Sequence, residues 1–136
     1  MSGTSQARLS YFDASAFVKL VVPARESRAL TEALDAATVW VAAAVTEVEV
    51  VRAVRRIDPG AVETARQQLA RLRLIRPSDP IRHRAGEVDP PDLSALHAVH
   101  LSTALSVADE LAAFYCYDER LAAAAEAAGL PVRAPA

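Results

Sequence analysis

Short apolar runs alternate with stretches of helical period along this chain, and the alternation predicts an α/β fold. Leu9, Tyr11 and Phe12 form an apolar run that predicts a strand over 9–13, and the pattern from Phe17 to Leu20 makes 14–21 a short helix stopped near Pro23. A second helix is expected over 26–36, with Leu30 and Leu34 facing in and Arg28 and Glu32 facing out. Thr38 to Val41, β-branched and aromatic, reads as a second strand. Val45, Val48 and Val51 or Arg52 then recur at helical spacing over 43–56. Asp58-Pro59-Gly60 turns the chain into a further helix over 61–72, and the two helices pair as a hairpin suited to a lid or a dimer surface.

Leu74-Ile75-Arg76 is a short strand closed by Pro77, and Pro80 and Pro90-Pro91 bracket a polar segment with a short helix over 81–87. Ser94 is a good N-cap for a long helix over 95–111. A buried strand over 114–117, a helix over 121–128 closed by Gly129 and an edge strand over 131–133 complete the pattern. Strands separated by helices predict a mainly parallel sheet flanked by helices on both faces.

At 136 residues the length predicts a single domain over 1–136, with 1–8 as a flexible N-terminal tail. The hydrophobic share is 52% but the aromatic share only 5%, so the core is expected to be mostly small aliphatic side chains, without a stacking platform for single-stranded nucleic acid. Cys116 is the one cysteine, which excludes an internal disulfide or a thiolate zinc site and suggests a buried, inert thiol. No signal core and no apolar run of about 20 residues is present, so a cytoplasmic protein away from membranes is expected. The formal net charge of −2 is unlike that of a general nucleic-acid binder, and no helix-turn-helix pattern suggests direct DNA binding. The arginines are nevertheless clustered: Arg52, Arg55 and Arg56 share one helix, and Arg66, Arg71, Arg73 and Arg76 lie on or just after the next. Such patches could hold RNA, although solvated helix faces are the simpler account.

Three carboxylates occupy settings with a common logic. Asp13 ends the first apolar run, Asp118 follows Phe114-Tyr115-Cys116-Tyr117, and Glu49 lies on the helix after the second strand. Carboxylates released at strand ends of an open α/β sheet face the crevice where such sheets bind ligands. Grouped there they repel one another unless a cation neutralises them, and hard oxygen ligands suit Mg²⁺ or Mn²⁺. Each position also has an ordinary reading. Asp13 and Asp118 could cap the helices that follow, Glu119 could replace Asp118, Ser15 could simply start a helix, and Glu49 could pair with Arg52. Glu47 competes with Glu49, but two residues turn a helix by about 200°, so only one of them can face the site.

The chain resembles the PIN-domain ribonucleases, and among them the VapC toxins of bacterial VapBC toxin–antitoxin pairs. The resemblance spans nearly the whole chain and rests on Asp13-x-Ser15-Ala16, Glu49-x-x-Arg52-Ala53, Leu96-x-x-x-His100-Leu101 and Tyr117-Asp118-x-Arg120-Leu121. It breaks at one place: the family pattern Leu-Asp-Ala-x-His-Leu reads Leu96-His97-Ala98-Val99-His100-Leu101 here, so His97 stands where a third acid is usual.

The resemblance implies a homodimeric toxin that cleaves RNA with metal-activated water. It implies that Asp13, Glu49 and Asp118 hold Mg²⁺, or Mn²⁺, with Ser15 orienting Asp13 and His97 in the remaining ligand place. It also implies a VapB-type antitoxin whose basic side chain enters the acidic groove. A neutral imidazole suits Mn²⁺ better than Mg²⁺ and brings no anionic charge, so reduced or altered activity is the expectation at His97. Asp89 and Asp92, upstream of the cap, are lesser candidates to compensate, and His100 reads as a supporting residue rather than a ligand. The rival function is a PIN domain that binds antitoxin or RNA without efficient cleavage. A phosphoryl-aspartate enzyme is disfavoured, because Asp13-Ala14-Ser15 lacks a second Asp and Lys19 is the only lysine, with none after a late strand.

Overall fold

Parallel neighbours cannot be joined by tight turns, and in this protein helices make every crossover between them. The computed structural model describes residues 8–136, so the tail expected over 1–8 falls, except for Arg8, outside the described residues. Arg8 donates its backbone N–H to the Glu110 carbonyl at 2.7 Å, and its own carbonyl accepts from Val39.

The strands are β1 (Leu9–Phe12), β2 (Val39–Ala43), β3 (Arg73–Ile75), β4 (Leu111–Tyr115) and β5 (Val132–Arg133). They form one sheet in the order β3-β2-β1-β4-β5, and every neighbouring pair is parallel. From β1 the chain builds outward through β2 and β3 on one side, then crosses back to add β4 and β5 on the other. The order therefore reverses between β1 and β4, and the crevice beyond their carboxyl ends is the topological switch point of the sheet.

Among the described residues seven helices flank it: α1 (Ala14–Phe17), continued by a 3₁₀ turn over Val18–Leu20, α2 (Ser27–Ala33), α3 (Val45–Ile57), α4 (Val62–Leu69), α5 (Asp79–Ala85), α6 (Ala95–Leu105) and α7 (Glu119–Ala127). Successive strand residues point to opposite faces, so adjacent Tyr11 and Phe12 serve two different cores and both are fully buried. Tyr11, Val41 and Phe114 pack against Leu101 of α6 and Leu121 of α7. On the other face Phe12, Ala42 and Tyr115 meet Phe17 of α1, Leu30 of α2, Val50 and Val54 of α3 and Leu69 of α4. The Tyr11 and Phe114 rings stack with centroids 5.1 Å apart, and a buried ring of this size contributes roughly 1.5–3 kcal/mol.

Several elements depart from the sequence pattern. α6 ends at Leu105 rather than 111, and β4 begins at Leu111 rather than 114. A 3₁₀ turn over Ala108–Glu110 joins them, a break that no Gly or Pro marks. The buried stripe of α3 is Thr46, Val50 and Val54, at i, i+4 and i+8. Val48, part of the expected valine spacing, is 56% exposed. The helix expected over 26–36 is shorter, stopping at Ala33 where Leu34 becomes extended. α7 closes on Gly129 at φ +89°, a backbone conformation that side-chain-bearing residues rarely adopt. Among the described residues, no helix is long and apolar enough to cross a membrane.

Candidate active site

The exits of β1 and β4 meet at Asp13. Its backbone N–H donates to the Tyr115 carbonyl at 3.2 Å, which fixes the residue beside the end of β4. Its carboxylate caps α1, accepting from the Ala16 N–H at 3.0 Å. The Ser15 hydroxyl lies 2.7 and 2.8 Å from the two carboxylate oxygens. That hydroxyl also accepts the Tyr117 backbone N–H at 2.9 Å, which leaves its own proton free for Asp13. Ser15 thus ties the start of α1 to the chain leaving β4, and sets the direction of one bond to the acid.

Asp13 is only 3% exposed, and no Lys, Arg or His nitrogen of the described residues lies within 4.0 Å of it. Burial raises its carboxyl above the usual carboxylate value, while the hydrogen bonds from Ser15 and Ala16 oppose that rise. A desolvated acid beside a ligand crevice, without an adjacent counter-charge, is the electrostatic feature that a bound cation would satisfy.

Glu49 reaches the same end of the sheet from α3, which leaves directly after β2. Its Oε1 lies 2.7 Å from His100 Nε2, whereas Glu47 is exposed on the other side of the helix. Asp118 caps α7 by accepting the Leu121 N–H at 3.0 Å, and its Oδ2 lies 3.6 Å from His97 Nε2. Capping and facing the crevice are compatible at both aspartates. His97 stands at the third position of α6, where its backbone N–H donates to Ser94 Oγ at 3.2 Å. Asp92 pairs with Arg120 at 3.3 Å on the exposed surface.

Among the described residues, no three His, Cys, Asp or Glu side chains stand close enough to hold a metal ion together. Asp13 is engaged by hydroxyl and amide donors, while Glu49 and Asp118 each face an imidazole. The donor chemistry of the three carboxylates fits a hard divalent ion, and Asp13 has the charge environment for one.

Two supporting groups were not singled out by sequence pattern. Cys116 Sγ lies 3.3 Å from Asp13 Oδ2, and burial first, then the Asp13 charge, push the thiol well above its ordinary range. The thiol is therefore an unreactive donor to the acid rather than a nucleophile. Tyr11 Oη lies 2.8 Å from His100 Nδ1. Chain separations of 103 and 89 residues hide both contacts from any local window, although the placement of Cys116 at the end of a strand leading to Asp118 was visible.

Beside these acids runs a cleft of about 440 Å³ lined in part by Ser15, Glu49, Lys19 and Arg56. Lys19 is paired with Glu26 at 3.0 Å. Arg52, Arg55 and Arg56 line an adjoining exposed hollow and make no ion pair among the described residues, so a compact cationic surface borders the acidic one.

The PIN domain family model matches residues 10–127. The chain belongs to the PIN-domain family. Within it, the chain is similar to VapC proteins: ribonuclease VapC35 of Mycobacterium tuberculosis is 40% identical over 129 residues, spanning 92% of this chain and 96% of the relative. The fold matches the crystal structure of M. tuberculosis VapC20, a sarcin–ricin loop cleaving toxin, with a TM-score of 0.71 at 14% identity over 93% of this chain and 99% of that one. It also matches a chain of a toxin–antitoxin complex from Klebsiella pneumoniae, with a TM-score of 0.68 at 21% identity over 93% of this chain and 98% of that one. This VapC-type PIN domain thus has the expected α/β architecture, in its fully parallel form.

Proposed function

We propose that the chain is the toxin of a toxin–antitoxin pair and cleaves RNA internally with a divalent ion, Mg²⁺ or Mn²⁺, whose binding would draw together Asp13, Glu49 and Asp118, which stand apart without it. The observation that carries this reading is the buried Asp13 carboxylate at the switch point, raised in pKa by desolvation. The ribonuclease relatives supply the reaction class. Ser15 holds Asp13 in one orientation, and Lys19 and Arg56 line the cleft beside Glu49, where they can bind an anionic backbone. When bound, the ion supplies Lewis acidity that activates water and offsets charge on the scissile phosphate. No histidine base is needed in this scheme.

Purified protein incubated with cellular RNA and Mg²⁺ should give defined cleavage ends on sequencing, and chelation of the ion should stop it. Glu49→Gln should lower cleavage by about 100-fold or more, since it removes an anionic ligand, and Glu47→Gln should leave it within about twofold. The reverse ranking would transfer the role to Glu47.

His97 beside Asp118 gives a specific second reading. An imidazole where the family has an acid leaves one fewer anionic ligand, so the protein could bind RNA or antitoxin and cut poorly. RNA retained on the protein with no new ends would establish that reading.

The antitoxin is proposed from the toxin–antitoxin complexes among the structural neighbours, and from an acidic crevice able to accept a guanidinium. A homodimer is proposed only as what the family resemblance implies. Co-expression with the adjacent small open reading frame should yield a co-purifying complex, and sedimentation of the toxin alone should give twice the chain mass. A monomer that retains no small partner would remove both assignments.

A further inference from the structure

Beneath Glu49 runs a hydrogen-bond chain that joins four elements, and one backbone group fixes its direction. At the end of β2 the Ala43 N–H lies 3.3 Å from Tyr11 Oη on β1. A backbone amide can only donate, so the phenolic oxygen accepts there. The single phenolic proton then points to His100 Nδ1 of α6, 2.8 Å away. An imidazole that accepts at Nδ1 in its neutral form carries its proton on Nε2, and that nitrogen lies 2.7 Å from Glu49 Oε1. Tyr11 is fully buried and His100 is 1% exposed, so water does not compete for the bond between them.

We infer that Tyr11 and His100 are positioning residues for Glu49: the Ala43 amide sets one tautomer of His100, whose Nε2–H holds one Glu49 oxygen and leaves the other free for a ligand. His100 is thereby a directional donor rather than a core filler or a metal ligand. The bearing on cleavage rests on the ribonuclease reading above, whereas the tautomer does not. Ring geometry agrees with a fixed orientation, because the Tyr11 and His100 rings meet edge to face with an interplanar angle of 88° and centroids 6.0 Å apart. Sequence supplied His100 through its helical motif, but Tyr11 looked like an ordinary apolar strand residue.

The test begins without metal or RNA. In protein carrying ¹⁵N-labelled histidine, the His100 resonances should show Nδ1 unprotonated and Nε2 protonated, and Tyr11→Phe should convert this into a mixture of tautomers. A dominant Nδ1–H form, or no response to Tyr11→Phe, would overturn the inference. In cleavage assays, His100→Leu should lower kcat by about 10- to 100-fold with KM little changed, and His100→Gln, whose amide N–H can reach towards Glu49, should recover most of the loss. Should His100→Leu fail to fold, Tyr11→Phe carries the same comparison with a smaller expected loss. Wild-type kcat in both Tyr11→Phe and His100→Leu would reject the positioning role. If wild-type protein gives no RNA cleavage, the ribonuclease assignment fails, and the tautomer measurement still decides the hydrogen-bond chain by itself.

Discussion

Asp13→Asn is expected to reduce RNA cleavage by at least about 100-fold while leaving the fold intact and more resistant to heat above the carboxylate range. Both effects have one source. The wild-type acid is desolvated between β1 and β4, and its polar neighbours Ser15, Ala16 and Cys116 are donors without a formal counter-charge. Its folded pKa is raised from the ordinary value near 3.8, so the native state holds the proton more tightly than the unfolded chain. The stability associated with the protonated form is fully present below that ordinary value and is lost as pH rises through the raised one. Asparagine has no charge to desolvate, so the difference in Tm between variant and wild type should open as pH rises through this window and then remain constant. Added Mg²⁺ should stabilise wild type and not Asp13→Asn. Thermal melts across pH, with and without the ion, check the stability effects, and a cleavage time course checks the first. Undiminished cleavage by a folded Asp13→Asn protein would remove Asp13 from the mechanism.

The strand-end carboxylates were legible because an apolar run followed by Asp and a helix leaves few alternatives. Asp13 and Asp118 both cap helices just beyond β1 and β4, so the capping reading holds at each and leaves the proposed ligand role open to it. The boundary between α6 and β4 was not legible. From Ala104 to Ala113 the chain is rich in helix formers and carries no Gly or Pro, so local propensity extended the helix. What decides the strand is tertiary: β4 pairs with β1 from Leu111 to Tyr115 and with β5 at Phe114 and Tyr115, and this pairing carries Ala112 and Ala113 into the strand despite their weak preference for it. The same cause hid Tyr11 and Cys116. Their roles depend on which strands become neighbours and on where α6 crosses them, and side-chain period within a single strand carries neither fact. On α3, packing selected Thr46, Val50 and Val54 over the expected stripe through Val45 and Val48. Glu49 turned towards His100 in consequence.

His97→Asp is expected to tighten Mg²⁺ binding by about tenfold or more and to raise cleavage at limiting Mg²⁺. The imidazole now lies 3.6 Å from the Asp118 carboxylate, at the third position of α6, whose amide N–H is already taken by Ser94. An aspartate there adds a hard anionic ligand, and the positive end of the α6 dipole favours its charge. It also brings two carboxylates together, so without metal the variant should melt below wild type through like-charge repulsion. Saturating Mg²⁺ should reverse that order, since an ion at 100 times its Kd stabilises the folded state by about 2.7 kcal/mol. This crossing of the two melting curves separates a repaired metal site from a general gain in stability, which would raise Tm under both conditions. If His97 is instead a ligand matched to Mn²⁺, the substitution should move the metal preference towards Mg²⁺ with little gain at saturating Mn²⁺. Cleavage titrated with each metal distinguishes the two, and unchanged titrations with both would place position 97 outside the site even though its imidazole faces Asp118.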